Sequence, residues 1–262
     1  MRQSPLRSLA AATPHAIALP AALGALLASA APAVAASQEL PTPAALMEKH
    51  NTAAGTRAAL DKHTSIRMVA SMTMPAMGID ATMEVLRAKP NKFIQKMTIP
   101  QIGDIVTGFD GTVAWVVNPM AGAQLIKGAQ LASIKSNADF FSNMQDPANY
   151  TKAETVGLAD FEGRKCYKVR LTRDGQEGFE YFDAGSGLLA GFSGAVQSSE
   201  GSVEATTVFS KWGDFDGIKF PTQLEQRTPA GPANITFTTV EFDKVDPSAF
   251  DLPASVKALV KP

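Results

Sequence analysis

The sequence predicts a mainly β protein of α+β type, a curled antiparallel sheet that stops short of closing into a barrel. Three observations lead there. From Ser65 onward the chain breaks into short runs that alternate apolar and polar residues, the period of a strand with one buried face. Turn signals such as Asp110-Gly111, Glu162-Gly163, Asp174-Gly175 and Asp216-Gly217 recur too densely to admit crossover helices. Two helical regions are legible, too few to cover a broad sheet on both faces. About ten strands are expected, and a sheet that wide must curl, split or close.

The order of elements follows from residue 1. Arg2 and Arg7 precede an apolar stretch, Ala16 to Ala30, and then the small residues Ala33-Val34-Ala35. This is the pattern of a secretory signal peptide over 1–36, with cleavage after Ala35 or Ala36. Pro20 and Gly24 interrupt its apolar part, which is shorter than the ~20 residues that span a bilayer. Residues 37–262 are then expected to form one domain with no transmembrane segment. Thr42 caps a helix that Gly55 stops, with Leu46, Met47, His50 and Ala54 as its apolar stripe, and a second short helix runs from Thr56 to His63. The first two strand runs place Ile66, Met68, Ala70, Met72 and Met74, then Ile79, Ala81, Met83 and Val85, on the buried side. Asp110-Gly111 turns a hairpin into Thr112 to Asn118. Leu131, Ile134, Ala138 and Phe141 recur at spacings of three and four, which predicts an amphipathic helix from Ala129 to Met144, ended by Pro147. Strands and turns follow from Tyr150 to the end. The helices should rest in the concave side of the sheet.

The candidate binding residues come from the buried faces. Methionine stands where β-branched residues are the usual strand choice, and it is adaptable enough to pack against a flexible apolar ligand. Met68, Met72, Met83 and Met97, with Val85, Phe93 and Trp115, are therefore the candidates to line a ligand cavity; for the aromatics, filling a fixed core is the competing reading. Leu46, Met47, Leu131, Ile134 and Phe141 would face that cavity from the helices.

Composition excludes several classes. Once Arg2 and Arg7 are lost with the signal, 22 basic residues stand against 25 acidic ones with no long basic run, so nucleic acid is not an expected partner. Cys166 is the single cysteine and reads as a packed thiol in a strand. His50 and His63 are too far apart for a helical metal pair and read as surface or lid residues, so no metal is expected. Residues 185–190, GSGLLA, match a permissive dinucleotide fingerprint but join two strands rather than opening a helix, so they read as a turn and no cofactor is expected. No G-x-S-x-G is present, and no catalytic residue is assigned; a hydrolase is the least favoured class.

Phe109 to Pro119, FDGTVAWVVNP, resembles the LolA-like family of periplasmic lipoprotein carriers in its Asp110-Gly111 hairpin followed by Trp115, Asn118 and Pro119. Lys89, Pro90 and Phe93 are similar to the family's basic residue and proline before a strand phenylalanine. The ending DPSAFDLP (Asp246 to Pro253) and the helix break TAAGTRAAL (Thr52 to Leu60) are similar too. The resemblance implies an incomplete β-barrel with a helical lid over a hydrophobic cavity. It implies a soluble periplasmic carrier that shields acyl chains of lipoproteins, or of a free lipid, between inner- and outer-membrane transfer partners. A lipid-sensing module of the same fold, reporting to a membrane partner, is the alternative. The family latches its lid with an arginine before the proline; this chain has Lys89 there, a point charge without the planar fork, and Arg87, two positions earlier on the same side of the strand, is the second candidate for the lid latch.

Overall fold

The computed structural model describes residues 39–260 apart from Asp174, Ser199 and Glu200, and these residues form one body. The expected signal segment lies outside the described residues. Two helical pieces come first. Helix α1 (Pro43–Ala54) begins at Thr42, whose hydroxyl accepts from the Ala45 N–H, and ends at Gly55. Gly55 has φ of 115°, and a Cβ there would overlap the Gly217 carbonyl, so the stop requires glycine both for its conformation and for its space. Helix α2 (Arg57–Leu60) is a single turn, shorter than the run expected up to His63.

Six strands then form a meander: β1 (Ser65–Met74), β2 (Ile79–Ala88), β3 (Lys92–Ile99), β4 (Gly103–Phe109), β5 (Ala114–Asn118) and β6 (Gly122–Leu125). Helix α3 (Gly128–Ala138) follows and ends earlier than the expected Met144, giving way to turns up to Tyr150. A second meander completes the sheet: β7 (Lys152–Phe161), β8 (Arg164–Arg173), β9 (Gln176–Asp183), β10 (Leu189–Ser198), β11 (Gly201–Phe215), β12 (Ile218–Thr228) and β13 (Gly231–Phe242). Helix α4 (Ala254–Val260) ends the described chain.

Among the described residues, thirteen strands form one antiparallel sheet, three more than the alternation suggested, in the order β6-β5-β4-β3-β2-β1-β13-β12-β11-β10-β9-β8-β7. The first and last strands pair in the middle, Ile66 opposite Phe242 and Met72 opposite Ile235, so the two meanders are its wings. Its end strands, β6 and β7, do not pair. The sheet is nevertheless curled. Helix α3 has 11 residues, about 16 Å of length, yet touches β3 and β4 on one wing and β10 on the other. Seven strand spacings separate β4 from β10, about 34 Å if flat, so only a curled sheet brings both within reach. The result is an incomplete barrel, with α1, α2 and α3 against its inner face.

Two apolar layers hold this arrangement. Inside, Ala54, Leu60, Ala138, Phe140 and Met144 from the helical segments pack on Met68, Met83, Phe93, Phe109 and Phe220 of the strands. Outside β3 to β6, Phe250 and Val256 from the C-terminal segment cover Ile94 and Trp115.

Candidate functional site

The inner face is built row by row from the strand register. One row runs Phe242, Ile66, Arg87, Phe93, Phe109 and Ala114 across β13, β1, β2, β3, β4 and β5. A further row places Ala70, Met83, Met97 and Ile105 side by side. Of the residues singled out from sequence, Met68, Met83, Val85 and Phe93 come together beneath α2 and the segment after α3. Met72 is buried, and Met97 half-buried, in a separate cluster with Met74, Ile79, Ile99 and Ile105, to which no helix among the described residues contributes. The inner face therefore has a helix-covered end and an end where half-buried apolar residues stand without helical cover.

Trp115 does not belong with this set. Phe109 opposes Ala114, so the next residue points outward, and the indole lies across Gly108 on the outer face. A Cβ at Gly108 would overlap that ring. Trp115 is buried beneath Phe250 and Val256, a packing role that a count along a five-residue strand could not distinguish from cavity lining.

The helical candidates all face inward. Leu46 and Met47 of α1 pack on Val169, Leu171, Phe182 and Leu189 of the second wing, whereas Leu131, Ile134 and Phe141 border the cluster of the first. Polar contacts tie the helical pieces to each other and to the sheet. Asn51 at the end of α1 donates its Nδ2 to the Gln145 carbonyl and accepts the Gln145 N–H at its Oδ1, each at 2.7 Å. Arg57 of α2 lies 3.9 Å from the centre of the Phe141 ring. Lys89 donates its Nζ to both the carbonyl (2.6 Å) and the carboxylate (2.7 Å) of Asp61, the residue that caps α2, and lies 5.3 Å from the Phe140 ring centre. That bond holds the Asp61 carboxyl below its ordinary range. Arg87 does not share this contact. It points into the inner row, where its Nε is enclosed without a hydrogen-bond partner among the described residues.

Three polar residues at the site were not legible as such. His50, expected at the surface or in the lid, is buried between Phe182 and Trp212, its Nδ1 accepting the Leu189 N–H at 3.0 Å. Burial lowers its pKa to about 4, opposed by a hydrogen bond with the Asn143 backbone. The helical stripe it shares with Leu46, Met47 and Ala54 was the signal for its burial. Glu180 on β9 is enclosed as well, and loss of hydration raises its pKa to about 7, although the Tyr150 hydroxyl donates to its Oε1 at 3.0 Å. His63 instead bonds Asp243 at 2.8 Å and stacks on Phe242 at the edge of the inner face. The open recesses lined by Lys152, Glu154 and Arg170 and by Arg67, Glu84 and Lys96 lie on the outer face and are strongly charged.

No protein-family model matches the chain, and no curated protein matches its sequence. Solved structures do match its fold. A DUF1329 family protein from Desulfovibrio piger superposes with a TM-score of 0.57 at 13% identity, over 82% of this chain and 100% of that one. A LolA superfamily protein from Nitrosomonas europaea gives 0.55 at 12% identity, over 81% and 99%. A domain from Vibrio parahaemolyticus assigned to outer membrane lipoprotein sorting gives 0.50 at 11% identity, over 78% and 97%. The chain thus has the open-barrel fold of LolA superfamily and DUF1329 proteins, the fold that its Asp110-Gly111 hairpin motif resembles in sequence.

Proposed function

We propose that this protein is an exported, periplasmic carrier that shields the acyl chains of a lipoprotein or a free lipid on the inner face of its barrel. One observation carries the reading: a predominantly apolar inner face is closed by short helical pieces, packed on it and fastened by a few polar ties, and not by strands. A strand could leave only by breaking a ladder of backbone hydrogen bonds. A helix tied by Asn51 and Lys89 can move away as a unit, and the methionines beneath it can repack around a chain. Each methylene taken from water contributes about 0.8 kcal/mol, so displacing the helices is offset by a chain of ordinary length. In this reading the helices are a lid, Lys89 with Asp61 is its latch, and Met68, Met83, Val85 and Phe93 receive the ligand. The basic and apolar start of the chain supports export, and membrane-bound donors and acceptors on either side of the periplasm would be the transfer partners.

The test is native mass spectrometry of the exported protein purified from a membrane-containing lysate, with uptake of a fluorescent fatty acid measured on the same sample. Co-purified lipid and saturable uptake are expected. An empty protein that also takes up no probe refutes the carrier.

A further inference from the structure

We infer that the inner face carries a specific anion subsite at Arg87, and that the preferred ligand is an acyl chain with an anionic head, a carboxylate or a phosphate. The inference rests on the carrier reading and makes it narrower. In the row Phe242, Ile66, Arg87, Phe93, Phe109 and Ala114 every residue but Arg87 is apolar and buried. Arg87 is thus a cation set between Ile66 and Phe93 on neighbouring strands, under the turn that holds Phe140. Its Nε is fully enclosed and has no partner among the described residues. Asp139, at the end of α3, is the carboxylate whose field reaches it, yet Asp139 forms no ion pair with it among the described residues and accepts the Phe141 N–H instead. Lys89, two residues along the same side of the chain, is by contrast fully engaged with Asp61.

A cation whose Nε is enclosed without a partner is costly, and a neutral side chain of similar volume would normally be the more stable choice there. Its pKa, lowered by burial to about 10, records that cost. An anionic head would remove it, because a guanidinium forms paired, charge-assisted bonds with a carboxylate or phosphate while the acyl chain lies along Val240, Met68 and Val85 of the neighbouring row. A thioether-linked diacylglycerol, the lipid of a lipoprotein, has no such charge. The subsite therefore favours a free acidic lipid as cargo.

The test is calorimetric titration of the lipid-free exported protein with laurate, dodecyl phosphate and methyl laurate, for the wild type, Arg87→Met and Arg87→Lys. The wild type is expected to bind the two anions about 10- to 100-fold tighter than the ester. Arg87→Met should lose that preference while keeping its affinity for the ester, and Arg87→Lys should keep part of it. Without lipid, Arg87→Met should melt no lower than the wild type. Equal affinity for acid and ester in the wild type, or an unchanged preference in Arg87→Met, overturns the subsite and leaves the carrier standing. A lipid-free Arg87→Met that melts well below the wild type overturns it too, because Arg87 would then be a structural group. Failure of all three ligands to bind overturns the carrier and the subsite together. Preference for only one of the two anions upholds the subsite and identifies the head it takes.

Discussion

Removing His50 and Glu180 one at a time should reveal two opposite pH dependences of stability that cancel in the native protein. The Glu180 carboxyl has a folded pKa of about 7 against an ordinary 4.5. Between those values the folded protein holds a proton that the unfolded chain has released, so stability falls as pH rises. His50 works the other way. Its folded pKa is about 4 against an ordinary 6.5, so between them the unfolded chain holds the extra proton and stability rises with pH. Each shift corresponds to roughly 3 kcal/mol, and both groups are enclosed, so solvent does little to reduce it. The windows overlap from about pH 4.5 to 6.5, where the native protein should show a plateau. Glu180→Gln keeps an acceptor for the Tyr150 hydroxyl, and His50→Asn keeps one for the Leu189 N–H. Urea unfolding at half-unit pH steps should show Glu180→Gln gaining roughly 3 kcal/mol from pH 4 to 7 and His50→Asn losing about as much over 4.5 to 7.5, each about 1 M in midpoint. If Glu180→Gln reproduces the native plateau, Glu180 ionises normally and the burial argument for it is wrong.

Three further outcomes follow from the geometry. Met83→Glu places a charge beneath the helical pieces, so uptake of a fluorescent fatty acid should fall at least about tenfold, while Glu84→Met, on the opposite face beside Arg67, should leave uptake intact; equal uptake by both would mean the ligand goes elsewhere. Lys89→Ala frees the cap of α2 where its partner Asp61 is exposed, so the melting temperature should hardly move while lipid transfer between vesicles speeds up; an unchanged transfer rate would remove Lys89 as the latch. Gly108→Ala forces the Trp115 indole from its place, which should cost about 1–3 kcal/mol and shift tryptophan emission to the red, and native-like emission and stability would show that the ring is not held there.

The sequence by itself determined the local text of this fold. Period-two runs and dense turns were enough for an antiparallel curled sheet, Thr42 and Gly55 for the limits of the first helix, and the spacing of Leu131, Ile134 and Ala138 for the inward stripe of α3. These signals depend on neighbours a few residues apart, where backbone geometry fixes which side chains share a face. The tertiary structure decided what those faces meet. It paired β1 with β13, 160 residues or more apart in sequence, and so curled thirteen strands around α3. Trp115 went outward because its strand's register places Ala114 opposite Phe109, and the C-terminal segment was there to cover it. Glu180 and Arg87 look like ordinary polar residues along the chain, and His50 is marked only by its place in the apolar stripe of α1. Their unusual ionisation comes from the loss of water when distant strands and helices close over them, and no spacing in the sequence encodes the depth at which a side chain ends.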